Sequence, residues 1–238
     1  FKVGPDYIDP MFHRHVTGRF CRNLDPVLTS EESVRQLFSR HCGTAPFALI
    51  EGVMGLFDGA AGRMDFASTA QVSRLLDVPI LFVVDCSRIS QSIAAIVHGF
   101  RSFDPRLQFA GVVLNRVGSD RHLELLKNAL EPLEIPILGV LRRQDRIRIP
   151  DRHLGLVPTD ELPGLPELVE QLAELGATCF DWEKLMPLLA TKERSDFEDE
   201  IVERSQVRIA IARDAAFNFY YADNLEALEQ QGAELVSW

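Results

Sequence analysis

Ile80-Leu81-Phe82-Val83-Val84-Asp85 is an unbroken apolar run that closes on an acid. It shows no in/out alternation, which is the pattern of a parallel strand covered on both faces. Working outward, three more runs fit. Phe47–Glu51 (FALIE) closes on an acid, Phe109–Asn115 (FAGVVLN) closes on an amide, and Ile135–Leu141 (IPILGVL) is the fourth. Helical patterns fill the gaps. Thr29-Ser30-Glu31-Glu32 has the form of a capping box, with Val34, Leu37 and Phe38 on one helix face and Gly43 as a stop. Further helices are predicted at 65–76, 90–103, 119–130 and 166–175. The strands recur every ~20–35 residues, the length of a βαβ unit. The fold class is therefore α/β, a doubly wound, mainly parallel sheet. Such sheets bind ligands beyond the carboxyl ends of their strands. Those ends carry Glu51, Asp85 and Asn115.

Composition narrows the class of partner. Among 238 residues, apolar types make up 46% and charged types 25%, which is globular rather than disordered. The net charge of −10 speaks against non-specific binding to nucleic acid or to an anionic membrane. The longest apolar stretch, Val78–Val84, is far short of a membrane span. No secretory leader pattern opens the chain. Cys21, Cys42, Cys86 and Cys179 form no CxxC pair, which fits reduced thiols in a cytoplasmic protein. The six histidines, His13, His15, His41, His98, His122 and His153, show no zincin spacing, so no structural zinc is expected.

Four stretches carry candidate chemistry. Residues 1–10 read FKVGPDYIDP, a strand end punctuated by Gly4 and Pro5 and followed by Asp6 and Asp9. Carboxylates just past a strand suit Mg²⁺, and Lys2 suits a phosphate. The same pattern is also that of a proline-rich turn with solvated acids. Residues 51–62 read EGVMGLFDGAAG, with Glu51 and Asp58 on a glycine-rich loop where backbone can approach a ligand. No Gly-Lys-Ser/Thr follows, so this is not a Walker A motif, and an ordinary flexible loop has the same composition. Asn115 can read a purine edge or simply form a turn, and Asp85 is either a Walker-B-like acid or a helix N-cap. Arg142–His153 (RRQDRIRIPDRH) is the most basic window, a solvated loop or a site for a polyanion.

Gly4–Pro10 (GPDYIDP) is followed by His13–Pro26 (HRHVTGRFCRNLDP). Together with EGVMGLFDG at Glu51–Gly59, VVLNR at Val112–Arg116 and RHLGLVP at Arg152–Pro158, these stretches closely resemble the cobyrinic acid a,c-diamide synthases of corrin biosynthesis. The resemblance spans most of residues 1–162. Phe57 stands where tyrosine is more usual. The resemblance implies a P-loop NTPase fold related to dethiobiotin synthetase. It also implies ATP-dependent amidation of the a and c carboxylates of cobyrinic or hydrogenobyrinic acid, in cobalamin biosynthesis, through an acyl phosphate, with ammonia from glutamine. By the same route, ATP and Mg²⁺ are expected, with Asp6 and Glu51 as metal ligands, Lys2 near the phosphates and Asn115 near adenine. Tyr7, Asp9 and Asp58 are expected to position the corrinoid carboxylate or the incoming ammonia. The corrinoid and glutamine are the expected partners, and a homodimer is compatible with this reading.

The expected organisation is a synthetase domain over 1–190, truncated at its N-terminus, a charged linker over 191–206, and the start of a class I glutamine amidotransferase domain over 207–238. The family's P-loop is expected before Phe1, and its glutaminase nucleophile beyond Trp238. On that reading the parent protein is a carbon–nitrogen ligase and this piece alone does not turn over. Rival readings are a sister tetrapyrrole amidoligase, such as cobyric acid synthase or nickel-sirohydrochlorin a,c-diamide synthase, and a partitioning-type ATPase switch.

Overall fold

The structure is a computed structural model that describes residues 1–144, 147, 151–152, 155–191, 207–214 and 216–238. In chain order its elements are β1 (Lys2–Val3), α1 (Ile8–Thr17), β2 (Asn23–Leu24), α2 (Glu31–Cys42), α3 (Thr69–Leu76), β3 (Ile80–Asp85), α4 (Ile93–Phe103), β4 (Phe109–Val117), α5 (Asp120–Leu130), β5 (Ile137–Arg142), β6 (Asp151–Arg152), β7 (Gly155–Leu156), α6 (Leu165–Cys179), α7 (Trp182–Leu189), β8 (Arg208–Ile211), α8 (Ala222–Gln230) and β9 (Glu234–Ser237). The chain divides into two units. One comprises Phe1–Thr69, Ile149–Leu165 and Thr191–Trp238, and the other Ala70–Arg148 with Pro166–Ala190.

The second unit has the α/β form read from the sequence. β3, β4 and β5 form a parallel sheet in that order, with Asp85 paired to Asn115 and Leu114 to Val140. β4 is central, and its residues Gly111 to Leu114 are buried without a break. β3 departs from the expected two-sided cover, because Val83 is 58% exposed. The crossovers run through α4 and α5, whose Ile93, Val97, Leu126 and Leu130 pack with Val84, Val112, Leu114 and Val117 in one core. Burying side chains of this size contributes ~1.5–3 kcal/mol each before entropy is counted. Ser119 caps α5 by accepting from the His122 N–H. Asp85 caps no helix. It accepts from the Ser87 N–H at 2.9 Å and pairs with Arg116 at 2.9 Å, while α4 starts only at Ile93.

The first unit is built on shorter ladders. β1 pairs in parallel with β2, Lys2 opposite Asn23 and Val3 opposite Leu24. On its other side Lys2 forms a parallel bridge with Glu51. The run at 47–51 is thus not a full strand, yet it feeds the ladder. The Val3 N–H donates to the Glu51 carbonyl and the Glu51 N–H to the Phe1 carbonyl, both at 2.9 Å. β8 and β9 form another parallel pair, and β6 and β7 an antiparallel one, so the described strands make four separate ladders rather than one doubly wound sheet.

Local chemistry corrects several predicted boundaries. The cap of α2 is Ser30, which accepts from the Ser33 N–H, and Thr29 instead donates to the Asp25 carbonyl at 2.7 Å. The helix predicted over 65–76 begins at Thr69, because Met64 and Ala67 take left-handed backbone angles that no helix accommodates. α1 was hidden in the sequence by the prolines of GPDYIDP. Pro10 in fact falls in the first turn of the helix, where a missing N–H costs nothing. α7 was likewise not read from the sequence. Residues 192–206, which cover most of the predicted linker, lie outside the described residues. Among the described residues no helix is long and apolar enough to cross a membrane.

Candidate functional site

In the first unit, the parallel ladder and the start of α1 bring Lys2, Asp6, Asp9, His13 and Glu51 together. Lys2 is only 4% exposed, unusual burial for a lysine. Its ammonium donates to Asp9 Oδ2 at 2.5 Å and lies 3.4 Å from Glu51 Oε2 and 3.5 Å from Asp6 Oδ2. A buried ammonium is tolerated only with such partners. Burial pulls the Lys2 pKa down, but the Asp9 bond and the charges of Glu51, Asp9 and Asp6 outweigh it, and the net shift is upward. Glu51 moves the other way. Burial raises its pKa, but His13 Nε2 at 2.6 Å and the Lys2 charge hold it below the ordinary carboxylate value.

Backbone geometry presents these groups. Gly4 has a φ of 76°, which turns the chain out of β1 and is a conformation suited to glycine. Asp6 Oδ1 then accepts from the N–H groups of Ile8 and Asp9 at 2.9 and 3.2 Å, satisfying orphan donors at the start of α1. Asp9 and His13 are four residues apart on α1 and so share a face. Asn23, across the ladder on β2, donates from Nδ2 to the carbonyls of Gly4 and Asp6 at 2.9 and 2.7 Å. That two-point clamp fixes the turn bearing Asp6.

Tyr7 lies at the entry to α1, its ring stacked on Tyr221 with centroids 4.3 Å apart and near Phe219 at 5.4 Å. Asp58 closes the glycine-rich loop. Its Oδ2 accepts from the Gly55 N–H at 3.0 Å, and a Cβ on Gly55 would lie 2.4 Å from that oxygen. A Cβ on Gly59 would lie 2.1 Å from the Phe66 carbonyl oxygen, a backbone atom, so this loop is fitted to glycine at Gly59. Asn115 belongs to the second unit, at the carboxyl end of β4, where its Oδ1 accepts from the Arg116 N–H at 2.9 Å. Of the basic window, Arg142 is bonded to Asp120, and Arg146, Arg148 and His153 lie outside the described residues.

The sequence reading named Lys2, Asp6, Tyr7, Asp9, Glu51 and Asp58 but passed over His13 and Asn23. The i, i+4 spacing of Asp9 and His13 was the available signal for the first. Asn23 left none, because its role depends on pairing across the ladder.

The oxygen donors suit a hard cation. Mg²⁺ takes one or two carboxylates and completes its shell with water and phosphate oxygens. Asp6 and Glu51 each bring a carboxylate to the Lys2 ammonium. Among the described residues, the group of three possible ligands whose atoms all lie within 4.8 Å of one another is a different one, His41, Asp223 and Glu226. There the Arg22 guanidinium is the cation. It bonds Asp223 and lies 2.5 Å from Glu226, while burial and that guanidinium push the His41 pKa down.

Comparison with known proteins identifies the family. Residues 4–157 match the CbiA family model, described as the CobQ/CobB/MinD/ParA nucleotide binding domain. The chain is 63% identical to a protein of Synechococcus sp. named cobyrinate a,c-diamide synthase, over 100% of this chain and 53% of that protein. Proteins of the same name from Synechocystis sp. and Priestia megaterium are 57% and 44% identical, over 99% and 100% of this chain and 50% and 52% of theirs. The chain thus spans about half the length of the curated relatives it matches. No solved structure gives a significant match.

Proposed function

Since the chain belongs to the CobQ/CobB/MinD/ParA nucleotide binding domain family, we propose that it carries the acid-activating site of a cobyrinate a,c-diamide synthase. The reaction is ATP-dependent amidation of the a and c carboxylates of cobyrinic or hydrogenobyrinic acid, with ammonia released from glutamine. The observation that carries this reading is the buried Lys2 ammonium set among Asp6, Asp9 and Glu51 at the end of a parallel ladder.

A carboxylate is a poor electrophile. Transfer of the γ-phosphoryl group to the corrinoid carboxylate gives an acyl phosphate, with ADP leaving. Ammonia then attacks the acyl carbon, and phosphate departs with the electron pair of the C–O bond. Phosphoryl transfer of this kind is driven by positioning and charge compensation more than by covalent help from the protein. Mg²⁺, held by Asp6 and Glu51, supplies the compensating charge when bound. Lys2 sits in the same place to meet phosphate oxygens, and its raised pKa keeps it cationic at working pH. Asp9 orients the Lys2 ammonium through the 2.5 Å bond. Tyr7 and Asp58 position the corrinoid carboxylate and the incoming ammonia, and Asn115 contacts adenine.

The test uses the protein extended to the length of its relatives. It is incubated with cobyrinic acid, ATP, Mg²⁺ and ammonium, and amide formation is followed by mass spectrometry. Two amidations with matching ADP formation are expected. Amidation only of cobyrinic a,c-diamide or of a nickel sirohydrochlorin would move the protein to a sister amidoligase. Nucleotide hydrolysis that responds to a partner protein and to no tetrapyrrole would overturn the ligase reading.

A further inference from the structure

The segment from Phe217 to Tyr221 reads FNFYY, and four of its five residues are aromatic. They do not form a core. Phe217 and Phe219 are 56% and 51% exposed. Yet the segment is tied down by its own hydrogen bonds. Asp214 Oδ1 accepts from the N–H groups of Ala216 and Phe217, both at 2.8 Å, and the Tyr220 hydroxyl donates to the Ala212 carbonyl at 2.8 Å. Exposed aromatic surface held by such local bonds is characteristic of a contact surface rather than of a folding nucleus.

The segment meets the candidate site at one residue. Tyr7 stacks on Tyr221 at 4.3 Å with an interplanar angle of 22°. Phe219 is stacked on Tyr7 at 5.4 Å and 17°. Tyr7 itself lies between Asp6, which caps α1, and Asp9, which holds Lys2. Without the stack the Tyr7 ring is free to occupy other rotamers at the helix entrance.

We propose that Tyr221 and Phe219 are positioning residues for Tyr7, fixing its ring on the substrate side of the GPDY turn so that the corrinoid site is completed by the segment after the charged stretch at 191–206. This rests on the function proposed above, and its consequence falls on the corrinoid alone. Nucleotide handling by Lys2, Asp6 and Glu51 does not depend on the ring stack. Preorganised rings lower the ordering cost of binding, so their loss appears in the substrate KM.

The experiment measures ammonium-driven amidation by the full-length protein carrying Tyr221→Ala, Tyr221→Phe or Phe219→Leu, with KM determined separately for cobyrinic acid and for ATP. Tyr221→Ala is expected to raise the corrinoid KM about tenfold, on the order of one aromatic pair, with the ATP KM unchanged. Tyr221→Phe keeps the ring and is expected to stay within about twofold of the parent, since ring stacking and not the hydroxyl carries the effect. Phe219→Leu is expected to fall between the two. An unchanged corrinoid KM, a parallel rise in both KM values, or a Tyr221→Phe variant as impaired as Tyr221→Ala would overturn the inference while leaving the ligase reading standing. A parent protein that amidates no corrinoid overturns both.

Discussion

Lys2 meets Glu51 twice, as partners in a parallel bridge and again through side chains, with Nζ 3.4 Å from Oε2. The backbone pairing sets the charge pairing, so Lys2 cannot be exchanged without exposing Asp6, Asp9 and Glu51 to one another. Lys2→Met is expected to lower stability by about 1–3 kcal/mol, less than the loss of a fully buried pair because Asp6, Asp9 and Glu51 are 25%, 26% and 43% exposed at their side chains. It should also abolish corrinoid-dependent ATP consumption. Thermal unfolding and ADP release read the two effects, and an unfolding midpoint equal to the parent's would show that the carboxylates are solvated.

Asn23→Ala removes the donor to the carbonyls of Gly4 and Asp6. Two net hydrogen bonds correspond to about 1–3 kcal/mol of stability. The larger effect is expected in kcat/KM, at least tenfold down, because a turn that wanders displaces Asp6. Denaturant titration beside steady-state kinetics separates these. A loss of stability with unchanged kcat/KM would mean that the clamp has no bearing on the site.

Arg22→Ala leaves Asp223 and Glu226 with no guanidinium, although Arg22 is only 11% exposed at its side chain. A destabilisation of about 1–2 kcal/mol is expected, since the unpaired carboxylates of Asp223 and Glu226 are 25% and 28% exposed at their side chains and water screens part of the loss. Hydrogen exchange should rise first in α8 and β9. Protection there unchanged from the parent would show that the pair is ornamental.

Asp104 offers a pH test in the second unit. It is 6% exposed and receives Arg106 through two bonds at 2.8 Å and Arg74 at 2.7 Å. The Arg106 bond outweighs burial and, with the Arg74 charge, holds the carboxyl down to about 2. A depressed carboxylate stabilises the fold above its unfolded pKa of about 3.9. That stability drains away as the pH falls towards the folded value. The parent is expected to lose about 2 kcal/mol across this window, and Asp104→Asn to lose that acid limb of the stability curve. An equally steep acid limb in the variant would assign it to other carboxylates.

Gly59→Ala places a methyl group 2.1 Å from the Phe66 carbonyl oxygen. The loop from Gly52 to Ser68 must then open, and Asp58 with it. Activity is expected to fall at least tenfold, while the core around Val112 and Leu126 keeps its exchange protection. Retained activity would uncouple Asp58 from the reaction.

Pattern carried the second unit furthest. The β3–β4–β5 sheet follows from uninterrupted apolar runs and α5 from the helix read over 119–130, whereas the apolar run at 47–51 yields only a bridge and the helix read from 65 starts at Thr69. Lys2 shows the limit. Its burial depends on Asn23 and Glu51 arriving on either side, and no local pattern announces a lysine with 4% exposure. His13 faces Glu51 from 38 positions away, and the GPDYIDP prolines disguised the helix that carries it. Acidic side chains were visible as candidates. What they pair with was not, because pairing is a tertiary property.

The Arg22–Asp223 bond spans 201 positions of chain. During synthesis, β1, β2 and Glu51 emerge early and close loops of modest length, so the Lys2 set can form while most of the chain is unmade. The Arg22 pair and the ring contact of Tyr7 cannot close until the entire second unit has left the ribosome. The two halves of the site therefore mature at different times, and a chain halted before Tyr221 would hold its charged half without its aromatic one.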